Sequence, residues 1–385
     1  MIPYGRQDIS QEDIDAVVDV LRSDFLTQGP CVPEFERLVG EAVNARYAVA
    51  VNSATSALHI ACIALGLGSG DILWTVPTSF VASANCGLYC GAKVDFVDID
   101  PQTYTMSPSA LKAKLEIAAQ AGELPKVIVP VHLCGQSADM AEISKLARRY
   151  GVYLIEDASH SIGAEHEDEP VGDCRYSDIT VFSFHPVKIV TTAEGGVATT
   201  NDKKLARSMQ LARSHGVTRE PDEIVGGSEG PWYYQQVSLG YNYRLTELQA
   251  ALGISQLTRL SEFVKRRREL AFNYFQVLRD LPVTLPFQRD QTNSSWHLYV
   301  IRVEASVRRR VFENLRSKGI GVNLHYIPIH TQPYYRALGF KPGQFPEAEA
   351  YYSEAISIPL YPGMTNADQD RVVSALADSL EASGL

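Results

Sequence analysis

Three groups in this chain combine residue types and settings suited to chemistry. Lys188 follows Phe182-Ser183-Phe184-His185-Pro186-Val187 and precedes Thr191-Thr192-Ala193-Glu194-Gly195-Gly196. An amine in such apolar, aromatic and then glycine-rich surroundings is not an ordinary solvated lysine. Desolvation lowers its pKa, which is what an imine-forming amine requires. Asp157, in Leu154-Ile155-Glu156-Asp157-Ala158-Ser159-His160, stands at the carboxyl end of a strand-like segment, where α/β folds bind ligands. Ser53-Ala54-Thr55 ends an apolar run and opens a helix-like stretch, so its N–H groups and positive helix end suit a phosphate. Each group also has a plain structural explanation: a snorkelling lysine, an aspartate capping a turn, and hydroxyl N-caps.

Taken together, the three groups match the needs of one cofactor. Pyridoxal phosphate requires a lysine for its Schiff base, an acid to keep its pyridine nitrogen protonated and an anion site for its phosphate. Phe80, in Pro77-Thr78-Ser79-Phe80, offers a ring to stack on it. A metal site built from His160, His166 and Asp157 lacks a third firm ligand at sensible spacing. Gly66-Leu67-Gly68-Ser69-Gly70 follows a helix rather than a strand, so it reads as a turn and not as a dinucleotide fingerprint.

The elements that must position these residues are readable from the pattern. Apolar runs at 47–52, 72–76, 94–97, 126–131, 152–156, 179–184 and 196–200 read as strands, separated by helix-length segments such as 80–89 and 139–150. Strands that are apolar throughout predict a mostly parallel sheet covered on both faces, hence an α/β fold. Beyond residue 245 the texture changes. Helical periodicity runs over 245–281 and includes the basic stretch VKRRREL, read as a solvated helix face. Strands at 298–303 and 321–325 and helices at 306–318 and 367–380 complete a smaller α+β part. The expected division is 1–245, a large cofactor-binding α/β domain with an N-terminal arm, and 246–385.

With 385 residues the chain is long enough for two domains, and Lys+Arg 35 against Asp+Glu 45 gives a net charge of −10. That balance disfavours nucleic acid or an anionic membrane as a partner. The six cysteines contain no CxxC pair, no apolar run is long enough to span a bilayer and no signal pattern opens the chain. A reduced, cytoplasmic setting is expected.

The segments NSATSALH, PTSFVASAN, EDASHS, FSFHPVK, TTAEGG, RSHG, GYNYRLTELQAALG and HYIPIH resemble, in order and spacing, the sugar-nucleotide aminotransferases of the DegT type. The likeness extends from PYGRQDIS and LTQGP to ISIPLYPGMT. It implies a fold-type I (aspartate aminotransferase) architecture and a homodimer with active sites shared between subunits. It assigns Lys188 as the Schiff-base lysine, Asp157 as the pyridine-nitrogen partner and Phe80 as the stacking ring. Ser53, Ala54, Thr55 and Ser183 fall on its phosphate ligands, and Asn242 on the asparagine that reaches the phosphate from the other subunit. His160 departs from the glutamine usual there, contacting the cofactor face. With TTAEGG it resembles the subgroup of pseudaminic acid biosynthesis, which aminates carbon 4 of a UDP-linked 4-keto-6-deoxy-N-acetylhexosamine.

For the substrate, motif position picks out Tyr4, Thr27, Gln28, Arg213, His215, Arg219 and His325, which otherwise read as surface charge or turn residues. The implied reaction has two halves. L-Glutamate leaves its amine as pyridoxamine phosphate and departs as 2-oxoglutarate, and the keto-sugar then takes the amine. Related dehydratases carry histidine in place of the lysine, so Lys188 favours transamination. The same chemistry on a dTDP- or GDP-sugar, or at carbon 3, is the alternative. A nicotinamide dehydrogenase lacks its fingerprint here, and a regulator without chemistry would be expected to lose the lysine or the acid.

Overall fold

The computed structural model describes residues 1–385. Seven strands form a central sheet in the order Tyr47–Val51, Gly196–Thr200, Ile179–Ser183, Tyr153–Asp157, Val127–Val129, Ile72–Thr75 and Lys93–Phe96. The last five in that order are mutually parallel, and Gly196–Thr200 runs antiparallel to both of its neighbours. Alternate residues leave the sheet on opposite sides. Trp74, Ile128 and Leu154 pack with Leu111, Leu115 and Ile143 on one side; Leu73, Val127 and Ile155 pack with Ala57, Leu58 and Ala61 on the other. Both faces are covered, so neither register needs polar residues, and the strands read as unbroken apolar runs. Burying one such Leu or Ile side chain stabilises the fold by roughly 1.5–3 kcal/mol.

The helices Gln11–Arg22 and Cys31–Ala42 pack on Glu247–Leu257. Pro30, before the second of these, has no side-chain oxygen to cap the helix. Glu247 does so from a distance, accepting the N–H of Cys31 at 2.6 Å and of Val32 at 3.2 Å. Phe263 and Val264, at the start of the helix Leu260–Leu278, join a core with Phe35 and Phe182. From Leu270 onward the same helix joins another core with Tyr299, Ile301, Val311 and Leu376, which also takes in Ile2. Strands Tyr299–Arg302 and Ala355–Ile358 and helices Ala305–Ser317 and Asn366–Glu381 surround that core.

Two expectations change. Residues 321–325 form no strand; Asn323 makes a single bridge to Ser357, and Ile320, just before them, makes one to Ile2. The N-terminal segment crosses there so closely that a Cβ on Gly321 would lie 2.8 Å from the Ile2 carbonyl. The basic stretch is only in part a solvated face: Lys265 and Glu269 are exposed, but its arginines are drawn into the fold. Arg267 is buried and donates to the carbonyls of Trp296, His297 and Leu360, at 3.2, 3.2 and 3.0 Å. Arg266 and Arg268 donate to the carbonyls of Met364 and Ser294. A guanidinium carries five donors, so it can satisfy carbonyls that the irregular chain leaves unpaired.

Candidate active site

The strand Tyr47–Val51 runs into the helix Ala54–Ala64 with Ser53 as its N-cap. Ser53 Oγ accepts the N–H of Ser56 at 3.2 Å, and its carbonyl accepts that of Ala57 at 3.0 Å. The N–H groups of Ala54 and Thr55 have no acceptor within the chain. Gly196 makes room for this turn, since a Cβ there would lie 2.5 Å from the Ala54 nitrogen. Free N–H groups at a helix start beside hydroxyl residues form an anion site, so these residues fit the phosphate of pyridoxal phosphate.

Ser53, Ala54, Thr55, Phe80, Asp157, His160, Ser183 and Lys188 all line one cavity of about 600 Å³, together with Tyr4 and His325. Asp157 ends its strand with its N–H bonded to the Pro130 carbonyl and its own carbonyl to the N–H of His132. Its carboxylate accepts the Ser159 N–H at Oδ1, 3.1 Å, and the Ser83 hydroxyl at Oδ2, 2.6 Å. Phe80 exposes over half of its surface, with its ring 6.2 Å from that of Tyr326.

Lys188 follows the strand Ile179–Ser183 in a tight turn and is part-buried on the cavity wall. Burial pushes its amine down to about 8, opposed by the Asp157 carboxylate. An amine lowered this far is neutral for part of the time near neutral pH and can act as a nucleophile and base. A wider surface cleft of about 800 Å³, lined by Glu36, Arg37, Asp173 and Arg175, offers no comparable group. Its Arg37 is held by Glu34 and Glu41, and its Arg175 by Asp173.

A wall of imidazoles completes the cavity. Burial, then the charge of Lys188, holds His160 well below the ordinary histidine range. The same two causes lower His325 to about 3. His297, whose ring lies 4.4 Å from that of His160, is lowered by burial and then by His160. Motif reading missed His297, Tyr326 and Ser83. Tyr326 lies in HYIPIH, beside the histidine that was noticed; Ser83 lies one helical turn after Ser79.

The remaining expected residues lie elsewhere. Arg213 does not face the cavity; it pairs with Glu36 at 2.5 Å and donates to the Ala50 carbonyl at 2.8 Å. Thr27, Gln28, His215, Arg219 and Asn242 are exposed and outside the cavity of their own chain.

The model of the DegT/DnrJ/EryC1/StrS aminotransferase family matches residues 7–377. The UDP-4-amino-4,6-dideoxy-N-acetyl-beta-L-altrosamine transaminase of Campylobacter jejuni (strain 81-176) is 36% identical over 385 residues, covering 99% of this chain and 98% of its own. Helicobacter pylori PseC, an aminotransferase involved in the biosynthesis of pseudoaminic acid, has a TM-score of 0.90 at 32% identity over 99% of both chains. Spr1654 of Streptococcus pneumoniae, in its PLP form, has a TM-score of 0.90 at 27% identity over 100% of both. The chain therefore belongs to the DegT/DnrJ/EryC1/StrS family of pyridoxal-phosphate-dependent sugar aminotransferases.

Proposed function

We propose that this enzyme transfers the amino group of L-glutamate to carbon 4 of a UDP-linked 4-keto-6-deoxy-N-acetylhexosamine, as in the pseudaminic acid pathway. The observation that carries the reading is the single cavity holding Lys188, Asp157 and the open helix start at Ala54. The choice of sugar is supported by the activity that names the Campylobacter relative and by the likeness to PseC.

Bound pyridoxal phosphate supplies the electron sink for a carbanion next to nitrogen. Ala54 and Thr55 N–H groups, with the hydroxyls of Ser53, Thr55 and Ser183, would hold its phosphate. Asp157 would hold a proton on its ring nitrogen, and Phe80 would cover its ring, with His160 beside it. Lys188 Nζ would be the base that takes the proton from the amine-bearing carbon of glutamate in the first half, and the acid that delivers a proton to the aminated carbon of the sugar in the second. Burial of the amine is what favours its unprotonated form, and the imidazoles of His160, His297 and His325, each lowered by burial, stand neutral beside it.

The cavity wall contains no arginine, although a UDP substrate carries a diphosphate. That charge would be met by Tyr4 and His325 on this chain and by Thr27, Gln28, His215 and Arg219 from a second copy. Asn242 would reach the cofactor phosphate in the same way. Exposed Phe25, Trp232 and Leu239, at 53%, 71% and 77% exposure, give such a homodimer an apolar contact. Within each subunit, residues 1–245 would carry the cofactor and 246–385 the smaller part. No helix is long and apolar enough to cross a membrane, and the six free cysteines suit a reducing cytoplasm.

The test incubates purified protein with L-glutamate and a panel of UDP- and dTDP-linked keto-sugars, and identifies the product by NMR. A 4-amino UDP-sugar formed with stoichiometric 2-oxoglutarate is expected. A 3-amino product, or preference for a dTDP-sugar, would overturn the substrate assignment.

A further inference from the structure

Asp157 is gripped from an element outside its own motif. Ser83, fully buried in the first turn of the helix Ala82–Tyr89, has three acceptors in reach of its hydroxyl. They are Asp157 Oδ2 at 2.6 Å, Ser79 Oγ at 2.7 Å and the Phe80 carbonyl at 3.3 Å. A hydroxyl has one proton, and the carboxylate is both the nearest acceptor and the charged one, so the proton lies on that bond. The contact with Ser79 then runs the other way, with Ser79 donating to Ser83 Oγ. Such a chain strengthens its terminal bond, because each donor polarises the next. Phe80 lies between the two serines in sequence. With Oδ1 held by the Ser159 N–H, both carboxylate oxygens are fixed while Asp157 still lines the cavity.

We propose that Ser79 and Ser83 form a hydroxyl relay that positions Asp157, aiming its carboxylate at the ring nitrogen of bound pyridoxal phosphate and tying that aim to the turn carrying Phe80. The proposal rests on the reading of Asp157 as the ring-nitrogen partner. Ser83 touches neither substrate nor cofactor in this scheme; it acts only through Asp157.

The experiment loads wild-type, Ser83→Ala, Ser83→Thr, Ser79→Ala and Asp157→Asn proteins with pyridoxal phosphate labelled with ¹⁵N in the ring. It records the ring-nitrogen shift across pH, the cofactor dissociation constant, and kcat and KM for L-glutamate. Ser83→Ala is expected to move the ring-nitrogen signal toward its unprotonated value and to weaken cofactor binding. It should lower kcat about 10- to 100-fold, the worth of a hydrogen bond to a charged group. KM should change little, because the loss falls on the chemical step. Ser79→Ala should give a smaller change in the same direction, and Ser83→Thr, which keeps the donor, should restore the signal.

A wild-type nitrogen signal and kcat in Ser83→Ala would overturn the relay. So would a Ser83→Thr protein as impaired as Ser83→Ala, since the loss would then be one of packing. If Ser83→Ala does not fold, Ser79→Ala carries the test, and wild-type values there overturn the relay. Asp157→Asn separates the two claims. If it leaves the nitrogen signal unchanged, the assignment of Asp157 fails; if it shifts the signal and Ser83→Ala does not, only the relay fails.

Discussion

His160 and Tyr326 are joined by a hydrogen bond whose direction is fixed. His160 Nδ1 accepts the N–H of Cys134 at 3.2 Å, so the single proton of the neutral ring sits on Nε2, which donates to the Tyr326 hydroxyl at 3.1 Å. Burial pushes the Tyr326 phenol up, so it stays protonated, with its own proton available to a ligand in the cavity. Tyr326→Phe would leave a buried N–H unpaired, at a cost of about 1–3 kcal/mol. The expected outcome is a lower urea midpoint for the cofactor-free protein and a raised KM for the keto-sugar. Unchanged stability would mean that the Nε2 proton finds water instead.

Lys188 gives the cofactor-free protein a pH signature. Its amine has the ordinary value of 10.5 in the unfolded chain and about 8 in the folded one. Between those values the unfolded chain binds more protons, so folding stability rises with pH through that window. Lys188→Met should remove this rise, giving an unfolding free energy less dependent on pH between about 8 and 10.5 than in wild type. Parallel curves for the two proteins would show that the amine is solvated. The same variant should have no transaminase activity.

Arg213 matched a substrate position by motif, yet its guanidinium is spent inside the fold. With side-chain exposures of 17% and 16%, Arg213 and Glu36 form a largely buried pair, and Glu36 Oε1 also accepts the Ala50 N–H at 2.7 Å. Arg213→Ala would strand a largely buried carboxylate in the middle of the helix Cys31–Ala42 and is expected to cost about 3 kcal/mol. Denaturant unfolding measures that loss. KM for the UDP-sugar, measured on the folded fraction, should stay near wild type; a large rise in KM without lost stability would return Arg213 to the substrate site.

Lys188, Asp157 and Ser53, which the structure brings to one cavity, were legible as candidates because Asp157 and Ser53 close apolar strands and Lys188 follows one within a turn, and both the strand and the interruption are local signals. The parallel sheet was legible for the same reason: a strand buried on both faces has no polar register to disguise it. Contacts between distant segments left no such trace. Ser83 meets Asp157 across 74 positions, and Arg213 meets Glu36 across 177. Periodicity shows which face of a helix is apolar, but not which distant carbonyls will need a donor. Arg267 therefore looked like solvated charge until the loop carrying Trp296 and His297 folded over it. Reading HYIPIH for its first histidine alone concealed Tyr326, whose hydroxyl fixes His160.

The exposed position of Asn242 decides whether one chain holds a whole site. Asn242 lies outside its own cavity, bridged by backbone to Ser214 beside Arg213. If it reaches the cofactor phosphate of a second copy, Asn242→Asp places a like charge against that phosphate and disables the other subunit's site. Lys188→Ala disables its own. Mixing the two inactive proteins after partial unfolding should then restore activity. In each heterodimer one site joins two damaged halves, and the other joins an intact Lys188 to an intact Asn242. Random exchange makes half of the dimers mixed, so recovery should approach about a quarter of wild-type activity in a two-site dimer. If Asn242 serves its own chain, both defects fall within single subunits and mixing recovers nothing. Assaying the mixture against each parent under the same refolding conditions separates the two arrangements.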